Sequence, residues 1–335
     1  MRVTKILATV GALAALTLSG CSSNGANSES NETSAQTAAA TETAAGPVTI
    51  EDNRGTVEIP TDPQKIVITD NRLFEPAAKW GIKLVAAPIP LIPAGSAYHD
   101  DKEIVDLGSH REPNLEALVA ATPDLVINGQ RYKKQYDEIK KLLPDTALVD
   151  IDVREDQPFD QELRRQIELA GKIFQKEDEA AAMIKDFDDA IERVKKAYDG
   201  NATVMAVIST KGTLNYAAPK TGRSLGPVFD ILGLKPALGA EGSSDHMGDD
   251  ISVETMAQAN PDIILVMDRD AALAARGGEE AKPAKAIIED SAALANVSAV
   301  KNDKIVYMPT NTYLDESILT YTKFFNDLAD KLEQK

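Results

Sequence analysis

The sequence predicts an α/β fold of two similar lobes, each built on a mostly parallel sheet, joined by a long helix. Three observations carry this. From Val48 onward, short β-branched runs alternate with segments of helical periodicity, and such alternation implies parallel sheets. One unit occurs twice: a Glu-containing helical stretch, a Pro-Asp pair and an aliphatic run, found at 115–127 and again at 253–265. Between the two copies, residues 159–198 contain few helix breakers.

Taken in order, residues 1–20 carry Arg2 and Lys5 ahead of an apolar stretch over 6–18. That stretch is too short for a membrane span and suits a cleavable export signal. It ends in Leu18-Ser19-Gly20-Cys21, which resembles the lipobox of bacterial lipoproteins, whose cysteine is lipidated and becomes the mature N-terminus. Residues 22–46 contain no aromatic and no large aliphatic side chain. They cannot bury enough surface to offset the entropy of ordering, so 21–46 reads as a lipidated cysteine on a flexible tether.

The folded body begins with strand candidates at 48–50 and 56–59 around Asn53-Arg54-Gly55, a hairpin signature. A buried strand at 65–68, a helical segment at 73–80 and a strand at 83–86 follow; further alternation covers 124–127, 132–142, 146–151, 203–208, 224–232, 262–267 and 303–307. In the repeated unit, a two-turn helix is closed by proline before a buried strand. A spacing of about 138 residues is far longer than solenoid periods, so it reads as a duplicated lobe plan. Within 159–198, Leu163, Ile167, Ala170, Ile173 and Phe174, then Met183, Ile184, Phe187, Ile191 and Val194, keep helical spacing. Two consecutive helices are expected, the second of about 24 residues, long enough to link lobes. The expected organisation is 47–158 for the N-terminal lobe, 159–198 for the link and 199–335 for the C-terminal lobe.

Composition narrows the function. With 53 acidic against 36 basic residues the net charge is −17, which argues against general binding to nucleic acid or anionic membrane surfaces. One cysteine allows neither an internal disulfide nor a thiolate metal cluster, and His99, His110 and His246 leave little for a polyhistidine site. No GxGxxG after a strand and no HExxH occurs. Ser243-Ser244-Asp245-His246 holds hydrolase residue types, but adjacency in a loop gives no triad geometry. An anchored hydrolase or oxidoreductase is therefore the weakest alternative, and a binding protein without catalysis is expected.

The signal, the tether, the two lobes with repeated Glu…Pro-Asp units and the helical link together resemble the substrate-binding lipoproteins of bacterial iron–siderophore ABC importers. The resemblance spans roughly 48–335. Pro113-Asn114-Leu115-Glu116…Pro123-Asp124 and Val266-Met267-Asp268-Arg269 look most like receptors of the enterobactin and petrobactin type. The resemblance implies the helical-backbone substrate-binding fold and capture of a ferric catecholate siderophore. It also implies delivery to a permease dimer with its ATPase, with the protein a monomer anchored to the outer side of the cell membrane and carrying no intrinsic cofactor. Haem, cobalamin or a free metal are alternative ligands on this fold.

A ferric catecholate is a compact anion with aromatic rims, and arginine meets it best, always charged and forked. Arg131, Arg223 and Arg269 each lie in a loop or strand end of the kind that presents ligand groups in α/β lobes. They match the arginine trio that the resemblance implies, although Gln130 before Arg131 leaves the register open by one. The resemblance further implies that His246 and Tyr313 complete iron coordination when a siderophore supplies only four donors. A loop histidine is otherwise a surface group or hydrogen-bond partner. Asp315 and Glu316 beside Tyr313 do not suit an anion site unless they point outward. Tyr98, His99 and Tyr132 are wall candidates whose structural or surface roles weigh more. Glu116 and Glu254, one per repeat, complement a helix N-terminus; the resemblance gives them a second role, docking onto arginines of the permease.

Overall fold

The computed structural model describes residues 46–275 and 282–334; the expected signal, Cys21 and nearly all of the tether lie outside them. β1 (Val48–Glu51) and β2 (Thr56–Ile59) form the expected antiparallel hairpin. The first lobe then lays down β3 (Ile66–Ile68), α1 (Phe74–Lys79), β4 (Leu84–Ala87), β5 (Val105–Asp106), β6 (Gly108–Ser109) and β7 (Glu112–Pro113). α2 (Leu115–Ala120), β8 (Leu125–Asn128), α3 (Tyr136–Leu142) and β9 (Ala147–Asp150) complete it. Five of these strands pair in the order β5-β4-β3-β8-β9, all parallel. β3 and β8 are buried along their whole length. Their runs are aliphatic without alternation because a parallel sheet is covered on both faces.

Two helices link this lobe to the next, α4 (Phe159–Phe174) and α5 (Glu177–Ala197). Gln175 adopts a left-handed conformation that ends α4, and Tyr198 turns extended to end α5 at 21 residues, shorter than expected. A Cβ on Gly171 would lie 2.7 Å from the Ala180 Cβ. Glycine there is what lets the two helices close on each other.

The second lobe contains β10 (Thr203–Thr210), β11 (Thr213–Tyr216), α6 (Gly226–Leu232), β12 (Lys235–Pro236), α7 (Val253–Ala259) and β13 (Ile263–Asp268). α8 (Arg269–Ala274), α9 (Ala284–Glu289), α10 (Ser298–Lys301), β14 (Ile305–Tyr307) and α11 (Ile318–Glu333) follow. Its sheet runs β11-β10-β13-β14 with β12 also on β10, and β11 alone is antiparallel. α11 was not anticipated, although Tyr321, Phe324, Phe325 and Leu328 have helical spacing and are buried. It packs on α5, where the Phe187 and Phe325 rings stack with centroids 5.7 Å apart.

The repeated unit has a structural explanation. Asp124 accepts hydrogen bonds from the Gln64 and Lys65 N–H groups at 2.8 and 3.0 Å, at the mouth of β3. Asp262 does the same for Thr203 at 2.8 Å, at the mouth of β10. At the far ends of the same strands, Thr69 donates to Asn128 (3.0 Å) and Ser209 donates to Asp268 (2.6 Å). Lys65 and Asp124, Thr69 and Asn128, Thr203 and Asp262, and Ser209 and Asp268 are each 59 residues apart. Each lobe therefore pins its two central strands at both ends by the same side-chain plan, and the strand ends that face the site inherit a fixed position.

Candidate ligand-binding site

The segment between β14 and α11 lies against both lobes. Asn71, just after β3, donates to the Leu314 carbonyl at 3.0 Å, and Asn311 reaches the Ala94 carbonyl at 3.4 Å. Tyr313, in the turn Thr310–Tyr313, is thereby held in the cleft and almost fully buried.

The three candidate arginines converge on its ring. Arg131 sits in the turn Gln130–Gln135 that follows β8, and its guanidinium carbon lies 5.1 Å from the Tyr313 ring centre. Its Nη2 also donates to the Tyr313 carbonyl at 2.9 Å. Arg223 lies in the loop from β11 to α6, again 5.1 Å from the ring centre. That loop is folded tightly on itself: a Cβ on Gly222 would come within 2.6 Å of the Ala217 and Ala218 backbone. Arg269 opens α8, capped by Asp268, and stands 4.9 Å from the same ring. The register question at Gln130 is answered in geometry: Arg131 reaches the ring, while Gln130 donates to Glu316 at 3.0 Å.

Three cations around one ring repel each other, and a buried carboxylate offsets them. Glu316 is not turned outward, the condition on which it would suit an anion site; it is buried at the base of the cluster. It pairs with Arg223 (3.2 Å) and Arg72 (3.6 Å) and accepts from Gln130 and the Ser224 hydroxyl. Burial alone would raise its pKa. The charges of Arg223 and Arg72, the Ser224 hydrogen bond and Arg131 more than reverse that, to about 2. Asp315 is also buried, hydrogen bonded to Thr320 at 2.6 Å. The Tyr313 phenol is pushed up by burial, but the Arg269 hydrogen bond and the charges of Arg131, Arg269 and Arg223 bring it below its ordinary value. A phenol so placed gives up its proton more readily to a hard cation.

His246 stands half-buried in the loop beside this cluster, its Nδ1 3.7 Å from Asp245. Burial lowers its pKa, Asp245 opposes, and Arg269, Arg223 and Arg131 add to the lowering. The lowering favours the neutral ring, the form that offers a lone pair to a metal. The Nε atoms of Arg131 and Arg269 are buried and have no hydrogen-bond partner among the described residues. Each is a donor whose burial is costly until an acceptor arrives.

A cavity of about 990 Å³ opens between the lobes and extends from the cluster toward the start of α4. Arg72, Arg131, Phe159, Arg223, Glu316 and Tyr321 are among the residues lining it; Arg269, His246 and Tyr313 are not. Arg131 and Arg223 thus serve both the Tyr313 cluster and the open volume. Among the described residues, no group of three or more His, Cys, Asp and Glu is arranged to hold a bare metal ion.

The remaining candidates separate from the site. Tyr98 and Tyr132 are buried, their hydroxyls tied to the Ile82 and Leu107 carbonyls, and His99 pairs with Asp100 at 2.9 Å. Glu116 and Glu254 are exposed in the first turns of α2 and α7, next to the capping side chains of Asn114 and Ser252. Sequence reasoning missed Arg72, although it follows β3 much as Arg131 follows β8, and the same strand-end rule finds it.

Two lobes on pinned parallel strands, a helical link and a cationic cleft define a class of binding protein, and the chain belongs to the periplasmic binding protein family, whose model matches residues 66–312. Among individual proteins, it is 28% identical over 288 residues to the petrobactin-binding protein YclQ of Bacillus subtilis (strain 168), covering 84% of this chain and 86% of that one. It is 29% identical over 290 residues to the ferric-anguibactin-binding protein FatB of Vibrio anguillarum, covering 84% and 86%. The crystal structure of YclQ aligns with a TM-score of 0.73 at 26% identity, over 86% of this chain and 99% of that one. The catecholate-siderophore binding protein VctP of Vibrio cholerae, at 23% identity and a TM-score of 0.71, shares the fold. The family is one of binding proteins rather than enzymes, and a periplasmic family fits work outside the cytoplasm. No helix among the described residues is long and apolar enough to cross a membrane.

Proposed function

We propose that this protein captures a ferric siderophore of the catecholate type outside the cytoplasm and delivers it to an ABC permease. The observation that carries the proposal is the convergence of Arg131, Arg223 and Arg269 on one phenol. Guanidinium groups fixed in this way donate to catecholate oxygens without reorganising, and the flat edges of Tyr313 and Tyr321 suit aromatic rims. When a siderophore supplies four donors, neutral His246 and the lowered Tyr313 phenol complete octahedral coordination of the iron, which is cargo here. The names of the petrobactin- and anguibactin-binding relatives support the same substrate class. Cys21 is the lipidation site that tethers the folded body, 47–158 and 199–335 are the lobes, and 159–198 is their link. The protein acts as a monomer and presents Glu116 and Glu254 to a two-fold permease.

Titration with a ferric tris-catecholate, followed by intrinsic fluorescence, tests this. Trp80 packs against Phe174 and does not line the cavity, whereas Tyr321 does and carries the direct response. Saturable quenching at or below about micromolar ligand is expected; none below roughly tens of micromolar removes the proposal.

A further inference from the structure

A carboxylate at the base of an anion site calls for an explanation, and Glu316 receives its bonds from both sides of the cleft. Gln130 at 3.0 Å and Arg72 at 3.6 Å come from the first lobe. Arg223 at 3.2 Å and the Ser224 hydroxyl come from the second. Four side chains are therefore fixed by one buried anion, and one of them is an arginine that faces Tyr313.

Its surroundings hold further charge. Arg72 is bound on its other side by Asp152 at 3.0 Å, and Arg269 has Asp270 at 3.8 Å. Among the described residues no carboxylate lies within ion-pair distance of Arg131, and its Nε has no hydrogen-bond acceptor. The cluster is thus graded: Arg223 is ion-paired to Glu316 at 3.2 Å, while Arg131 acts on Glu316 only through space.

We infer that Glu316 is a specificity-determining residue, which positions Arg223 across the cleft and subtracts a fixed charge from the arginine cluster, so that it sets how negative a ferric complex the site accepts. This rests on the ferric-siderophore function proposed above. The energy of an ionic ligand in a fixed field is proportional to its charge. Removing one buried negative charge therefore favours a trianionic complex over a monoanionic one. A merely structural loss would weaken both alike.

The test uses two ferric complexes with the same chelating rings, a tris-catecholate (trianionic) and a bis-catecholate (monoanionic), on full-length protein. Dissociation constants come from fluorescence quenching, and the readout is the ratio between the two complexes. Glu316→Gln should shift that ratio toward the trianion by about tenfold or more. The double variant Glu316→Gln with Arg72→Gln, which removes one charge of each sign, should return it most of the way. An unchanged ratio in folded Glu316→Gln, or a shift that the double variant does not reverse, overturns the inference. Should Glu316→Gln not fold, Arg72→Gln carries the test with opposite sign, toward the monoanion; no shift there overturns it equally. Wild-type protein that binds neither complex removes the function itself, and with it this inference, whereas a binding wild type with an unaltered ratio removes only the role of Glu316.

Discussion

Arg223 and Arg269 reach the same ring from the same lobe, yet they are expected to differ when removed. Each should weaken a ferric tris-catecholate by about tenfold to a hundredfold as alanine, since a charge-assisted hydrogen bond contributes about 1.5–3 kcal/mol. Arg223→Ala also strips Glu316 of its second-lobe cation, and breaking a buried ion pair costs about 3–5 kcal/mol. Its melting temperature should fall clearly, while Arg269→Ala, which loses the Tyr313 phenol, Thr210 at 3.2 Å and the more distant Asp270 but breaks no close ion pair, should fall less. Thermal unfolding beside ligand titration checks both halves. Equal melting of the two variants would mean that Glu316 finds its compensation elsewhere. A second titratable group lies under the site. Asp70, fully buried, is pushed up to about 7 by burial and by the Asp152 charge, against the pull of Arg72. An acid with a raised folded pKa stabilises the fold below its unfolded value near 3.8 and loses that contribution as pH rises through about 7. Stability should therefore decline between about pH 4 and 7 from this group, and Asp70→Asn should flatten that part of the profile. A decline that persists unchanged in Asp70→Asn assigns it to other groups.

At the scale of elements, the link depends on aromatic packing between α5 and α11. Phe187 is fully buried against Phe325, and the Arg164 guanidinium carbon lies 5.2 Å from its ring centre. Phe187→Ala should cost about 3–5 kcal/mol in chemical unfolding. A loss under about 1 kcal/mol would show that α11 can collapse onto α5 without it. This region also marks where the sequence was legible and where it was not. The Pro-Asp units were readable because every part of the signal is local: a capped short helix, a proline stop and an aliphatic strand. The strand-end arginines were readable for the same reason, since a loop after a buried strand has one place to go. α11 has equally good spacing, but nothing local tells that it closes onto α5. The inward turn of Glu316 was not readable at all. Its partners Arg72, Gln130 and Arg223 are distant in sequence, and only the folded chain makes a buried carboxylate favourable there. The antiparallel β11 escaped for a simpler reason: a four-residue strand after a two-residue turn gives little periodicity to detect.

On the whole molecule, Glu116 and Glu254 are exposed at matching positions of the repeat, outside the cleft. Reversing both, Glu116→Arg with Glu254→Arg, should leave ferric ligand affinity within about twofold, yet abolish iron uptake in cells that depend on this protein. Uptake that persists would move the docking surface elsewhere. The lobes, meanwhile, are not joined by flexible strands. A helical pair links them, α11 packs along α5, and Asn71, Gln130 and Arg131 of the first lobe hold the segment 311–316 of the second part of the chain. Under the proposed function, a carrier so tied offers its transporter nearly the same face full or empty. Each vacant molecule then occupies a docking place that a laden one needs, and the cell gains nothing by making more of the protein than its iron supply can fill.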